Sequence, residues 1–169
     1  SARLTMVGVT GTNGKTTTAY LCKALLEGMG RHVGLIGTVA YQIGAEVLPA
    51  SHTTPGALEL QGLLAKMSRA GMDSVAMEVS SHALAMDRTT GCEYDAAVFT
   101  NLTQDHLDYH RTMEEYFQAK LRLFTSLGQG KKTGQRALVN MDDPRGAMVR
   151  AACRVPVWGF AVKGRADLQ

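Results

Sequence analysis

Apolar residues recur along the chain in two rhythms. Short runs rich in apolar and β-branched side chains, the mark of strands buried on both faces, fall at residues 4–10, 32–38, 74–79, 96–100, 136–140 and 155–160. Between them lie segments with three- and four-residue spacing, which predicts helices. Residues 15–29 carry Tyr20, Leu21, Leu25 and Leu26 at that spacing, with Gly30 as a stop. Residues 55–70 put Leu60, Leu63, Leu64 and Met67 on one face and end at Gly71. Thr112-Met113-Glu114-Glu115 is a capping box that opens a helix running to about residue 127. Residues 39–47 read as a small hairpin around Ile43-Gly44-Ala45, and 146–152 as a last helix. Strands separated by helices predict βαβ units, so the fold class is α/β: a mostly parallel, doubly wound sheet with helices on both faces.

Composition narrows the class further. The 169 residues are 45% hydrophobic and 20% charged, with a mean hydropathy of −0.07, which is a globular rather than a disordered or fibrous balance. No apolar run approaches the ~20 residues of a membrane span, and no signal-peptide pattern opens the chain, so no membrane partner is expected. The cysteines Cys22, Cys92 and Cys153 are three, widely spaced and without a CxxC pair. That argues against a disulfide framework or a zinc site and for a reducing compartment. A monomer working in the cytoplasm is the expectation. The net charge of +3 hides an asymmetry: residues 1–110 carry 7 basic and 10 acidic side chains, residues 111–169 carry 11 and 5. The basic residues are scattered without aromatic interleaving, so nucleic acid is not the expected partner.

The sharpest chemical signal is Gly8-Val9-Thr10-Gly11-Thr12-Asn13-Gly14-Lys15-Thr16-Thr17, between the first strand and the first helix. Glycines let the backbone approach phosphates, the helix N-terminus adds positive potential, Lys15 can reach the β- and γ-phosphates, and Thr16 can ligate Mg²⁺. The general phosphate-loop pattern wants glycine where Val9 stands, so this is a variant, Gly-Thr-Asn-Gly-Lys-Thr. Glu78 ends an apolar strand, where open α/β sheets bind ligands; a strand-end glutamate can equally just reach solvent. His106 and His110 have zinc-helix spacing, but no third strong ligand joins them, so zinc is not expected. Phe117, Lys120, Leu121 and Phe124 share one helix face. A lysine there either lies its stem on the core and sends its ammonium out, or stays buried with a lowered pKa. A buried neutral amine can take up CO₂ as an anionic carbamate ligand.

Together TGTNGKTT, HTTP, EVSSHAL, NLTQDHLDYH, AKLRLF and VNMDDP resemble, in order and over essentially the whole chain, the Mur ligase family. These are ATP-dependent amide ligases of peptidoglycan synthesis. The likeness is strongest to the E-type members, which add the third residue to UDP-N-acetylmuramoyl-L-alanyl-D-glutamate. The resemblance implies a P-loop-type central domain in which Gly11, Thr12, Asn13, Gly14, Lys15, Thr16 and Thr17 bind ATP. It implies that Thr16 and Glu78 hold one Mg²⁺, and His106 and a carbamylated Lys120 a second. Lys15, Glu78, His106 and Lys120 would then form the catalytic set. Asn140 matches a motif that serves the nucleotide site or the structure alone. His52, Thr53, Thr54, Ser80, Met86 and Arg88 fall where the family binds the muramoyl-dipeptide, with His52 and Met86 standing where some members carry Asn and Gln. The incoming amino acid would be meso-diaminopimelate or L-lysine. The resemblance also implies an N-terminal UDP-binding domain and a C-terminal domain beyond this chain. Residues 1–169 are thus expected to be the central ATP-binding domain, cut short at its C-terminal end, since nine residues follow the 155–160 strand. Alone it is expected to bind ATP weakly at best and not to ligate, its basic second half facing ATP or a missing domain. A P-loop kinase or GTPase is the other enzymatic reading. No Asn-Lys-x-Asp motif supports a GTPase, and a kinase would leave the carboxylate, histidine and lysine without a purpose. A non-catalytic nucleotide-binding module is the third.

Overall fold

The computed structural model describes residues 3–164, 166 and 167; residues 1, 2, 165, 168 and 169 of the expected 1–169 domain lie outside the described residues. The elements run β1 (Thr5–Thr10), α1 (Lys15–Gly28), β2 (Val33–Ile36), β3 (Ala40–Ile43), β4 (Glu46–Pro49), α2 (Ala57–Arg69), β5 (Ser74–Glu78) and α3 (Ser81–Ala85). They continue with β6 (Ala96–Phe99), α4 (Leu107–His110), α5 (Met113–Thr125), β7 (Arg136–Asn140), α6 (Gly146–Ala152) and β8 (Val157–Phe160). The strands form one sheet in the order β4-β3-β2-β5-β1-β6-β7-β8. From β2 across β5, β1, β6 and β7 to β8 all neighbours pair in parallel, and at the other edge β3 runs antiparallel to both β2 and β4. The α/β, mostly parallel fold expected from the sequence is the fold observed.

β1 lies at the centre, with β5 on one side and β6 on the other. The crossovers therefore diverge at its C-terminal end, which makes that edge the switch point of the sheet. Val9, which departs from the phosphate-loop pattern, is fully buried and paired with Glu78 and Val98. It belongs to the strand, not the loop, and a strand wants a β-branched residue there.

The two faces are covered unequally. One carries the larger core, where Leu60, Leu63, Leu64 and Met67 of α2, Tyr116, Phe117, Leu123 and Phe124 of α5, and Val149 of α6 pack on Met6, Ile36, Val75, Met77 and Phe99. The other is covered by α1, whose Ala19 sits on Val9, Leu35, Ala76 and Val98. The helix spans the expected residues, but its apolar spacing misleads about its buried side. Leu21 and Leu25 are 58% and 70% exposed, and Met29 is 76% exposed. Close packing on the sheet selects small Ala19 instead. The Thr112 half of the expected capping box forms at α5, its Oγ1 accepting from the Glu115 amide at 3.1 Å, while the Thr112 amide donates to His110 O at 2.6 Å in place of the Glu115 side chain. α3 and α4, five and four residues long, are too short to show a period and went unread. No helix among the described residues is long and apolar enough to cross a membrane.

Candidate functional site

The C-terminal ends of β1, β2, β5 and β6 open onto a cavity of about 450 Å³. The turn after β1 forms its floor. Gly11 has φ +153, and a Cβ there would lie 1.9 Å from Thr100 Oγ1 and 3.1 Å from the Asn101 backbone. Only glycine lets the β1 turn and the β6 end come this close. Thr12 N donates to Asn101 O at 2.9 Å, and Asn13 N donates to Asn101 Oδ1 at 2.9 Å. Gly14, in the left-handed region with φ 83, caps α1 without a side-chain bond, which leaves the helix N-terminus open toward the cavity.

Two lysines converge here. Lys15 Nζ donates to Gly11 O at 3.0 Å and to Thr12 O at 2.8 Å. Lys120 Nζ, from α5, donates to the same Gly11 carbonyl at 2.8 Å and stands 4.4 Å over the Tyr116 ring. Lys120 is 1% exposed, so its ammonium does not reach solvent. Burial above all, and then the nearby Lys15 charge, bring its pKa down to about 7, against a smaller pull upward from Asp105. Burial likewise lowers the pKa of Lys15, with Glu78 and Asp105 acting in the opposite sense.

Glu78, 1% exposed, faces the lysines from the end of β5. Its Oε1 accepts from Thr38 N at 2.8 Å and its Oε2 from Thr38 Oγ1 at 3.1 Å, so both oxygens are oriented from the end of β2. It is thus a buried, positioned carboxylate and not a strand-end side chain reaching solvent. Thr54 Oγ1 donates to Glu78 O at 2.8 Å and accepts from Ser80 N at 3.0 Å, tying the 52–54 loop to the start of α3. Arg88 reaches in with Nη1 on Thr54 O at 3.3 Å. His106 enters from the loop before α4 with φ 53, a sparsely populated conformation for a non-glycine residue that tends to collect at functional sites. Its ring packs edge-on to His82 at 4.9 Å and Tyr116 at 5.8 Å. Burial lowers the pKa of His82, with the His106 charge adding to the effect.

Thirteen residues singled out from the sequence line this cavity: Thr12, Asn13, Gly14, Lys15, Thr16, His52, Thr53, Thr54, Glu78, Ser80, Arg88, His106 and Lys120. Gly11 adjoins it through its carbonyl, while Thr17 lies on the exposed side of α1. Met86 is 46% exposed, with its sulfur accepting from Arg88 Nη2 at 3.2 Å. Asn140 is not among the lining residues; its Nδ2 donates to Thr100 O at 2.7 Å. In the same motif Asp143 Oδ2 accepts from Leu102 N at 2.7 Å, and Asp142 accepts from the amides of Val162, Lys163 and Gly164. These bonds hold the β6, β7 and β8 ends together. Thr38, His82, Asn101 and Tyr116 were missed as site residues; the strand-end rule would have found Thr38 and Asn101, but nothing in the spacing marks Tyr116.

The model of the Mur ligase middle domain matches residues 9–169. The chain belongs to the Mur ligase family. Among its relatives, the UDP-N-acetylmuramoyl-L-alanyl-D-glutamate–2,6-diaminopimelate ligase of Geobacter metallireducens is 48% identical over 159 residues, covering 93% of this chain and 31% of the relative. The enzyme of the same name from Gloeobacter violaceus is 50% identical over 166 residues, covering 98% and 33%. A solved structure of a ligase with that name superposes with a TM-score of 0.84 at 33% identity, over 96% of this chain and 33% of that one. The chain thus spans about a third of the length of the curated relatives it matches. Within this Mur ligase domain, TGTNGKTT is the cavity floor, EVSSHAL one wall, and DHLDYH with AKLRLF the other.

Proposed function

We propose that the chain is the ATP-binding domain of a ligase that joins diaminopimelate to UDP-N-acetylmuramoyl-L-alanyl-D-glutamate. The observation that carries this reading is the meeting of Lys15 and Lys120 on the Gly11 carbonyl, at an open helix N-terminus and opposite the buried Glu78 carboxylate. The Lys15 ammonium beside exposed backbone amides suits a phosphate group, with Lys120 close enough to serve the same phosphates through a bound metal ion. The relatives' names supply the substrate class and, between the two amino acids the sequence left open, favour diaminopimelate.

In this reading ATP phosphorylates the D-glutamyl carboxylate, giving an acyl phosphate and ADP. The amine of the incoming amino acid then attacks the acyl carbon and inorganic phosphate leaves. Lys15 has to exchange its bonds to Gly11 O and Thr12 O for phosphate oxygens, and its partial burial strengthens that contact. Thr53, Thr54, Ser80 and Arg88, with His52 beside them, line the side of the cavity suited to the muramoyl-dipeptide, and the Arg88 guanidinium can pair with its carboxylate.

Among the described residues no three histidines, cysteines, aspartates or glutamates converge into a metal cage. A single oriented carboxylate near a hydroxyl is the sparse oxygen set that Mg²⁺ uses when phosphates and water complete its shell. Glu78 and Thr16 would hold one ion, and His106 with a carbamate on Lys120 a second. Bound there, Mg²⁺ would supply charge neutralisation at the transferring phosphoryl group. A Lys120 pKa of about 7 leaves a large neutral fraction at physiological pH, the form that takes up CO₂.

The test is ADP release by a full-length ligase carrying this domain. ADP should appear only when muramoyl-dipeptide and diaminopimelate are both present. Rapid ATP hydrolysis without them, or phosphoryl transfer to an alcohol, contradicts the reading.

A further inference from the structure

Tyr116 is fully buried, yet its side chain meets the phosphate loop at Thr12, Lys120 and the His106 ring. Its hydroxyl lies 3.1 Å from Thr12 Oγ1 in the phosphate loop. Its ring underlies Lys120 Nζ, meets the His106 ring edge-on at 5.8 Å and the His110 ring at 5.2 Å. His110, 4% exposed, is fixed in turn by Ser81 Oγ, 2.9 Å from Nε2.

The proton positions follow from counting donors. Thr12 Oγ1 accepts from Thr103 N at 2.9 Å and lies 3.1 Å from Thr103 O, an oxygen that can only accept. If the Thr12 proton goes to Thr103 O, the Tyr116 hydroxyl donates to Thr12 and every group is paired. The reverse assignment leaves the Thr103 carbonyl without that proton. Burial raises the Tyr116 pKa, so the hydroxyl remains a donor across the working range.

We infer that Tyr116 is a positioning residue that sets the height of the phosphate loop above α5, through its hydroxyl on Thr12 and its ring beneath Lys120. This rests on the ATP reading of the site. α5 carries Lys120 and the loop carries Lys15, so a rigid strut between them fixes how far the Lys15 ammonium stands from the Lys120 side chain that would hold Mg²⁺ as its carbamate. Removing the hydroxyl should loosen the loop and leave the core intact, because the ring stays and no polar group loses its last partner.

The experiment uses a full-length ligase carrying this domain and its Tyr116→Phe, Thr12→Val and doubly substituted forms. It measures amide hydrogen exchange at residues 12–14 without nucleotide, and the affinity for a non-hydrolysable ATP analogue with Mg²⁺. Tyr116→Phe should speed loop exchange severalfold and weaken the analogue about fivefold, the weight of one hydrogen bond, while the melting temperature falls by no more than about 4 °C. The double variant should bind no more weakly than Thr12→Val alone, since both changes remove the same bond. Unchanged loop exchange or unchanged affinity in Tyr116→Phe, or losses that add in the double variant, overturn the inference. A wild-type full-length ligase that does not bind the analogue while Tyr116→Phe still loosens the loop instead strikes the ATP reading and leaves the strut standing.

Discussion

Lys120 shows how one side chain joins folding to chemistry. A cation enclosed among Tyr116, Gly11 and the Lys15 charge is costly to the fold, and the cost appears as a pKa near 7 in place of 10.5. Because the folded value is the lower one, below about pH 7 both states bind the proton and the penalty is present in full. Between pH 7 and 10.5 the unfolded chain binds more protons than the folded chain, so stability rises with pH and the penalty fades. Lys120→Met, similar in size and uncharged, should therefore stabilise the chain by about 2 kcal/mol at pH 6.5 and by much less at pH 9.5. Urea midpoints at the two pH values measure this; a gain independent of pH would mean that Lys120 keeps an ordinary pKa. The helical spacing of Phe117, Lys120, Leu121 and Phe124 already placed this lysine on an apolar face. What spacing left open was whether the ammonium escaped to water. The Gly11 carbonyl, 109 residues away in sequence, is what holds it inside.

At the scale of elements, the site depends on strand ends meeting in register. β2 and β5 pair Ile36 with Met77, so the residues just beyond, Gly37 and Glu78, come side by side. A Cβ on residue 37 would lie 2.3 Å from Glu78 Oε1 and 3.1 Å from its Cδ. Gly37→Ala should push the carboxylate away from its Thr38 partners and weaken Mg²⁺-dependent nucleotide binding about tenfold, the scale of one charged hydrogen bond. Calorimetric titration of a full-length ligase carrying this domain, with and without chelator, checks it. Equal losses in both conditions would place the damage elsewhere than at Glu78. Most strands and the long helices were readable because each buries a run or stripe long enough to show its period, and the hairpin, whose β4 is largely exposed, was readable from its Ile43-Gly44-Ala45 turn. The exposed side of α1 was not, since Leu21 and Leu25 have core-like spacing while the contact with the sheet runs through Ala19. The site roles of Asn101, in the loop after β6, and of Tyr116, within α5, leave no periodic signal because their partners are distant in sequence.

For the whole molecule, the sheet gathers at one edge groups spread from Thr12 to Lys120, and the family motifs named most of them before any coordinate did. The face that carries only α1, with Leu21, Leu25 and Met29 exposed along it, is the least finished part of the fold. Several basic residues of the second half are tied to carboxylates rather than aimed at the cavity: Arg122 to Asp87, Lys132 to Asp95, Arg145 to Glu114 and Arg150 to Asp167. Among the described basic residues of that half, Lys120 is the one that lies in the cavity wall. The central claim is that this edge is built for the phosphates of ATP. Its most direct test is a high-resolution crystal structure of the chain with a non-hydrolysable ATP analogue, Mg²⁺ and bicarbonate. The account predicts the terminal phosphates on the amides of residues 12–16 with Lys15 turned onto them, Mg²⁺ between Thr16 and Glu78, and a carbamate on Lys120. A nucleotide bound elsewhere, with Lys15 still on its loop carbonyls and Lys120 a plain amine, would contradict it.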